Sequence, residues 1–235
     1  MGEGERSIQN LSLPEKALDF FSNKWGIEQL HPPQFEAMKP LFDRSNILLA
    51  IPTASGKSLV AYIGILNQLL NLNPGSRAVY IVPLKALASE KFDDLKQIGE
   101  HLGLKIGLGI GDATAEAKNI DDSDILICTS EKLDSLMRTR SELMSNVSIV
   151  VADEFHLLHD ASRGPTLEIN LTRLRTLRPN AQLIALSATV GNCDILAKWL
   201  DATLIQSDWR PVDLEYATLH DRPLEPRKIQ SSSLD

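Results

Sequence analysis

The sequence predicts an α/β domain with a mostly parallel sheet and helices on both faces. Six short, largely apolar runs recur along the chain, and helical patterns lie between most of them. Runs without polar alternation are typical of strands buried on both faces, so we expect a doubly wound arrangement. The predicted strands are residues 47–51, 78–82, 106–110, 124–128, 147–152 and 182–186.

Apolar residues at helical spacing account for much of the remaining chain. Phe35, Met38 and Leu41 form such a stripe and predict a helix over residues 33–42. The same reasoning predicts helices at residues 58–70, through Leu95 and Ile98, and at residues 131–138, 166–177 and 193–200.

The two ends of the chain lack this alternation of apolar runs and helical patterns. We assign residues 1–28 to an N-terminal extension whose first dozen polar residues are frayed and whose helix begins near Pro14. Residues 29–212 form the predicted domain. Residues 213–235 contain an edge strand at 213–219 and then a linker or tail, since two prolines and three consecutive serines follow.

Composition narrows the class of protein. The chain has 235 residues, a net charge of −7 and 43% hydrophobic residues, an ordinary globular balance. The negative charge argues against coating nucleic acid by bulk charge, but it allows a local phosphate-binding groove. With no apolar run of about 18 residues and no secretory signal, we expect a cytoplasmic protein. Cys128 and Cys193 have no metal-ligand spacing and are predicted to be reduced thiols.

A phosphate-binding loop is the clearest motif. Residues 51–58 (IPTASGKS) follow an apolar strand and open a helix, the context that a P-loop requires. Loop N–H groups can cradle phosphate oxygens, Lys57 can neutralise β- and γ-phosphate charge, and the Ser58 hydroxyl can bind Mg²⁺. The general pattern has Gly where this chain has Ile51, so a plain strand-turn-helix connection stays open on this motif alone.

Two carboxylates supply the second half of the site. Asp153 and Glu154 follow the predicted strand at residues 147–152. At the end of a strand, Asp153 can hold Mg²⁺ beside the P-loop, and Glu154 can polarise the attacking water as a general base. Acidic residues also favour helix starts, but the combination with the P-loop predicts a nucleoside triphosphate site that catalyses hydrolysis through Lys57, Asp153 and Glu154.

Residues 153–156 (DEFH) resemble the DExH box of superfamily 2 helicases, and other blocks follow in that family's order. Residues 33–34 resemble the Q motif, 83–87 motif Ia and 129–132 motif Ib, while residues 187–189 (SAT) match motif III. Residues 52–57, 163–168, 187–191 and 207–212 look like the superkiller-like group, nearest its archaeal DNA-repair helicases, kin to the helicase part of polymerase theta. That branch often lacks the first P-loop glycine.

The resemblance implies a RecA-like fold and a role for each motif residue. Gln34 would select ATP by its adenine edge, and His156, Ser187 and Thr189 would couple hydrolysis to strand movement. The implied ATP-binding residues are Gln34, Pro52, Thr53, Ala54, Ser55, Gly56, Lys57 and Ser58, with Ser58 and Asp153 holding the metal. The implied nucleic-acid contacts, mostly to phosphates, are Pro83, Lys85, Thr129, Ser130, Lys132 and Arg163.

Such helicases place ATP between two RecA-like domains, and no second set of motifs follows Pro211. We therefore expect a monomeric first motor domain that binds ATP and Mg²⁺ and hydrolyses ATP weakly without a second RecA-like domain. The resemblance implies a 3'-5' DNA helicase of repair or recombination acting on single-stranded or branched DNA, associated with the nucleoid if archaeal.

Three other functions remain open from the sequence. A superkiller-like RNA helicase would carry the same motifs, since no residue type here recognises a 2′-hydroxyl diagnostically. A non-enzymatic ATP-dependent scaffold would not need Lys57, Asp153 and Glu154 together. A small-molecule kinase would leave residues 187–189 unexplained.

Overall fold

The computed structural model describes residues 3–111, 117–118, 120–188 and 191–212. Within them an eight-stranded sheet has the order β4-β3-β5-β2-β6-β7-β1-β8. All pairings are parallel except the short β3–β4 pair at one edge. The strands are β1 Asn46–Ala50, β2 Arg77–Val82, β3 Ile106–Gly109, β4 Ala117–Lys118, β5 Ile125–Thr129, β6 Val147–Ala152, β7 Gln182–Ser187 and β8 Ala202–Gln206.

Helices connect the strands and lie on both faces of the sheet, as predicted. None of the helices in the described ranges is long and apolar enough to cross a bilayer. The helices are α1 Glu15–Asp19, α2 Pro32–Phe42, α3 Lys57–Leu66, α4 Lys85–Leu102, α5 Ser130–Thr139, α6 Gly164–Leu177 and α7 Cys193–Leu200. Wider π-helical turns extend two of them, α1 over Phe20–Lys24 and α3 over Asn67–Leu72.

The core has two halves because successive strand side chains point to opposite faces. In β1, Ile47 and Leu49 pack with α1 to α4, whereas Leu48 and Ala50 pack with α5 to α7. The central strands β1, β6 and β7 are buried on both sides, which explains their apolar runs. Cys128 and Cys193 are buried and form no disulfide, and burial raises the pKa of Cys128 to about 12, so this thiol stays protonated.

Two expectations about the ends of the domain need correction. The first dozen residues are not all frayed: Ile8 is fully buried, its N–H donates to the Glu28 carbonyl, and Leu30 N–H donates to Arg6. A half-exposed strand that the sequence analysis missed, β8, pairs with β1 along the sheet edge. The edge strand predicted at residues 213–219, like the rest of 213–235, lies outside the described residues.

Parallel pairing brings the carboxyl ends of five strands to one edge of the sheet. Along this edge, from β1 to β5, stand the P-loop, Ser187, Asp153, Pro83 and Thr129, in that order. Open α/β sheets bind ligands at this edge. We call this edge, formed by the carboxyl ends of the strands, the crest. The predicted ATP residues and the predicted nucleic-acid residues occupy its two adjoining halves, with Asp153 between them.

Candidate nucleotide-binding site

The backbone geometry of the P-loop between β1 and α3 explains why its first residue is Ile51 and not glycine. Two residues of the loop take left-handed conformations, Ala54 with φ 65° and Gly56 with φ 74°. Ile51 is instead fully buried, and its N–H donates to the Ser187 carbonyl at 3.2 Å, so its position continues the core strand. The turn that the general pattern assigns to a first glycine is made at Ala54 and Gly56.

Lys57 stands at the first position of α3, where helix N–H groups have no intrahelical partners and attract anions. Its Nζ donates to the Ile51 carbonyl at 3.3 Å, and only 7% of the residue is exposed. Burial lowers the pKa of Lys57, while the nearby Glu154 and Asp153 carboxylates oppose that shift. The ammonium therefore lies folded over the loop, beside both predicted catalytic acids.

Asp153 and Glu154 follow β6 as predicted and have different surroundings. Asp153 is buried, with Oδ1 accepting from the Glu154 N–H at 2.9 Å and Oδ2 accepting from the Tyr80 hydroxyl at 2.8 Å. Glu154 has φ 50° and a quarter of its side chain exposed, which leaves its carboxylate accessible. A carboxylate has about four lone-pair positions, so Asp153 can still accept from metal-bound water. With the half-buried Ser58 hydroxyl it forms an oxygen donor set that suits Mg²⁺.

His156 lies between Glu154 and the end of β7. Its Nδ1 lies 3.2 Å from Glu154 Oε2 and 3.4 Å from the backbone nitrogen of Ala188. A protonated Nδ1 donates to Glu154, whereas an unprotonated Nδ1 accepts from Ala188, so one contact excludes the other. Ser187 is fully buried and donates to the Ala188 carbonyl at 2.7 Å. Thr189, the other predicted coupling residue, lies outside the described residues.

Gln34 is buried behind the P-loop with both ends of its amide engaged. Its Nε2 donates to the carbonyls of Gly56 at 3.0 Å and Ser55 at 3.4 Å, while Oε1 accepts from the His31 N–H at 2.7 Å. A Cβ on Gly56 would collide with this amide. Gln34 therefore ties α2 to the phosphate loop in this structure. Selection of ATP through its adenine edge stays a prediction that competes with this structural role.

We expect Q34A to weaken ATP and GTP binding alike, by about 10-fold, because three backbone groups around the loop lose their partner. Equilibrium titration of the chain with each nucleotide measures the change. The matched control is Q97A, which removes an exposed amide on α4 far from the loop. A loss confined to ATP would show that Gln34 acts on the adenine and not through the loop.

The predicted nucleic-acid residues lie on the β2–β5 half of the crest. Pro83, Ser130 and Arg163 line one small cavity of about 10 Å³, and Asp153 forms part of its wall. That is about the room of one water molecule. Residues from three predicted motifs thus meet directly beside the Asp153 carboxylate, the predicted magnesium ligand.

The remaining predicted contacts surround the first turn of α5 and the start of α4. Thr129 caps α5 by accepting from the Lys132 N–H at 3.4 Å, which leaves its own hydroxyl proton available to donate. Lys132 is half-buried over Gly109, and Lys85 is exposed at the start of α4. A buried asparagine on α6, Asn170, holds the Ser130 carbonyl at 2.7 Å.

A family model described as "DEAD/DEAH box helicase" matches residues 31–196, the segment that contains both halves of this crest. The chain belongs to the DEAD/DEAH box helicase family. Proteins named ATP-dependent DNA helicase Hel308 are 45% identical over 226 residues in Methanocella arvoryzae and 46% identical over 208 residues in Pyrococcus horikoshii. These relatives confirm the branch of DNA helicases predicted from the motifs.

The match covers nearly all of this chain but a minor part of each relative. It includes 94% of the chain and 30% of the Methanocella arvoryzae helicase, and 88% and 28% for Pyrococcus horikoshii. Among solved structures, the DUF1998 helicase MrfA bound to DNA has a TM-score of 0.73 at 24% identity, covering 84% of this chain and 30% of that one. That likeness supports the fold, and the RecA-like assignment is confirmed for this helicase domain.

Three residues of the helicase site escaped sequence reasoning. Tyr80 reaches Asp153 on one side of the crest, and its sequence signal is a hydroxyl within the apolar run at residues 78–82. On the opposite side, the Trp209 carbonyl accepts from the Ser55 hydroxyl at 3.4 Å, and the Trp209 ring packs on His31 at 4.5 Å between centroids. Residues 207–212 form one of the family blocks, but the sequence pattern predicts no contact of Trp209 with the P-loop, because 154 residues separate it from Ser55.

Gly164 gives this helicase domain a testable packing constraint. It begins α6 next to Arg163, and a Cβ there would collide with the backbone carbonyl of Leu158. We expect G164A to lower the free energy of unfolding by about 1–3 kcal/mol, because backbone cannot yield as a flexible side chain does. Denaturant unfolding measures this, with G191A as the control because a Cβ at Gly191 meets open space. Equal stabilities for the two variants would contradict the prediction.

Proposed function

We propose that the chain is the ATP-binding first motor domain of an ATP-dependent DNA helicase, with 3'-5' polarity and a role in DNA repair or recombination. The observation that carries this proposal is the meeting of Lys57, Ser58, Asp153 and Glu154 at one crest, directly adjoining Pro83, Ser130 and Arg163. Relatives that contain a homologous domain are ATP-dependent DNA helicases.

The residues of the P-loop half act on the triphosphate. The N-terminus of α3 and Lys57 bind the phosphates, and the carboxylate of Glu154 orients the attacking water and accepts its proton. Mg²⁺, held by Ser58 and through water by Asp153, would neutralise charge on the phosphate oxygens. His156 offers Glu154 and the Ala188 backbone alternative contacts, which suits it to pass the state of the ATP site to β7.

The β2–β5 half acts on the strand. Backbone N–H groups near Pro83 and Ser130, the Thr129 hydroxyl, and the cations Lys85, Lys132 and Arg163 are suited to phosphates, which gives little base selectivity. We assign single-stranded or branched DNA as the partner. A second RecA-like domain of the same protein would complete the ATP site, and closure of the two domains would move the strand. The proposed protein acts as a monomer within the cytoplasm.

Stimulated ATP turnover separates the DNA proposal from its RNA alternative. The full-length protein is incubated with ATP and Mg²⁺, and single-stranded DNA or RNA of the same sequence is added. We expect DNA to stimulate turnover more strongly, and we expect unwinding of duplexes with a 3' overhang over those with a 5' overhang. Stimulation by RNA that equals or exceeds that by DNA would contradict the assignment.

A further inference from the structure

Tyr80 places a hydroxyl within the apolar run at residues 78–82 of β2. It is fully buried in β2, and its Oη donates to Asp153 Oδ2 at 2.8 Å. Both atoms are buried, so this hydrogen bond is shielded from competing water. A charge-assisted bond of this kind is stronger than one between neutral groups. It fixes the orientation of the carboxylate from beneath the crest.

Asp153 is held through both of its oxygens. Strands β2 and β6 run in parallel with Tyr80 opposite Val151, so the Tyr80 hydroxyl reaches Oδ2 from the neighbouring strand. The other oxygen, Oδ1, accepts from the Glu154 N–H at 2.9 Å. The two contacts together fix the plane in which the carboxylate lies.

We propose that Tyr80 is a positioning residue for the magnesium site, because its hydroxyl holds the Asp153 carboxylate in one orientation toward the metal. This inference rests on the proposed function, in which Ser58 and Asp153 hold Mg²⁺. Mg²⁺ requires near-ideal octahedral geometry, so fixed oxygen positions matter more for it than for a larger cation.

Tyr62 supplies a matched comparison. It lies on α3 one turn after Ser58, its ring is 6.2 Å from that of Tyr80, and its hydroxyl donates at 2.8 Å to Asp94 on α4. Both tyrosines are buried and both donate to a carboxylate, but only Tyr80 donates to a predicted metal-binding group. Tyr62→Phe therefore repeats the chemical change of Tyr80→Phe without touching Asp153.

The test is a Mg²⁺ titration of nucleotide binding by the chain, followed with a fluorescent ATP analogue. We expect Y80F to raise the Mg²⁺ concentration for half-maximal binding by about 10-fold, the usual effect of losing a group that orients a metal ligand. Binding in the presence of EDTA should be unchanged, and Y62F should keep the wild-type midpoint. Equal midpoints for Y80F and wild type would overturn the inference, whereas a wild type that binds no nucleotide would overturn the proposed function itself.

Y80F leaves a buried carboxylate without its hydrogen-bond donor, and this change can prevent folding. A second pair of variants, D153N and D153N/Y80F, tests the inference in that case, because D153N removes the buried negative charge. In the D153N background we expect Tyr80→Phe to cause no further loss of ATP affinity in excess Mg²⁺, because Tyr80 acts through Asp153. A further loss of about 10-fold in the double variant would show that Tyr80 acts elsewhere and would overturn the inference.

Discussion

Replacing Glu154 with Gln is expected to lower ATP turnover by the full-length protein by about 100- to 10,000-fold, the usual contribution of a general base. Glutamine keeps the size and polarity of the side chain but cannot accept a proton from water. Because a quarter of the Glu154 side chain is exposed, the change leaves no buried charge without a partner. ATP binding should therefore persist, and the variant should bind ATP without hydrolysing it.

Steady-state hydrolysis and equilibrium binding of ATP, measured on the same preparation, check both parts of this expectation. The control is E100Q, which removes an exposed carboxylate whose nearest cation is Lys96 at 3.7 Å, on the far end of α4. Unchanged turnover in E154Q would rule out the hydrolytic mechanism and return the scaffold function to consideration. Loss of both binding and turnover would show that Glu154 has a structural role in forming the ATP site and not only a role in hydrolysis.

Replacing Lys57 with Ala is expected to weaken ATP binding by about 100-fold, equivalent to about 2.7 kcal/mol. The Lys57 ammonium stands at the first position of α3 and is nearly buried. Water therefore screens its attraction to phosphates only weakly. In the variant, the triphosphate would face the Asp153 and Glu154 carboxylates without the ammonium that lies near both of them. The loss should be larger for ATP than for AMP, which lacks the β- and γ-phosphates.

Titrations of the chain with ATP and AMP measure this difference. The matched control is K39A, which removes a lysine from α2 that is 84% exposed and paired with Asp43. Equal losses for ATP and AMP would show that Lys57 does not act on the distal phosphates. Wild-type affinity in K57A would place the nucleotide away from the P-loop.

The six predicted strands and their helices were predictable because their signals are local. A strand buried on both faces is apolar along most of its length, as β1, β6 and β7 are, and the glycine turn before Lys57 indicates the P-loop. Asp153 and Glu154 could be assigned because they follow β6 directly. Their closeness to Lys57 then follows from the parallel topology, since β6 and β1 both flank β7.

Features that depend on distant parts of the chain could not be predicted in this way. The half-exposed strand β8 lacks an apolar run and exists because β1 offers it an edge to pair with. The sequence pattern assigns Ile8 to a polar tail, yet hydrogen bonds from the Ile8 N–H to the Glu28 carbonyl and from the Leu30 N–H to the Arg6 carbonyl hold this segment against the core. From the sequence alone, Tyr80 is predicted to be an aromatic residue of the core. Only the pairing of β2 with β6 shows that its hydroxyl donates to Asp153.

The central claim is that the N-terminus of α3 and the carboxyl end of β6 together hold Mg²⁺ and ATP. Its most direct test is a crystal structure of the chain with Mg²⁺ and a non-hydrolysable ATP analogue. We expect the phosphates at the first turn of α3, Lys57 Nζ withdrawn from the Ile51 carbonyl onto them, and the metal between Ser58 and Asp153. A triphosphate bound elsewhere, or Lys57 still donating to Ile51 with nucleotide present, would contradict the account.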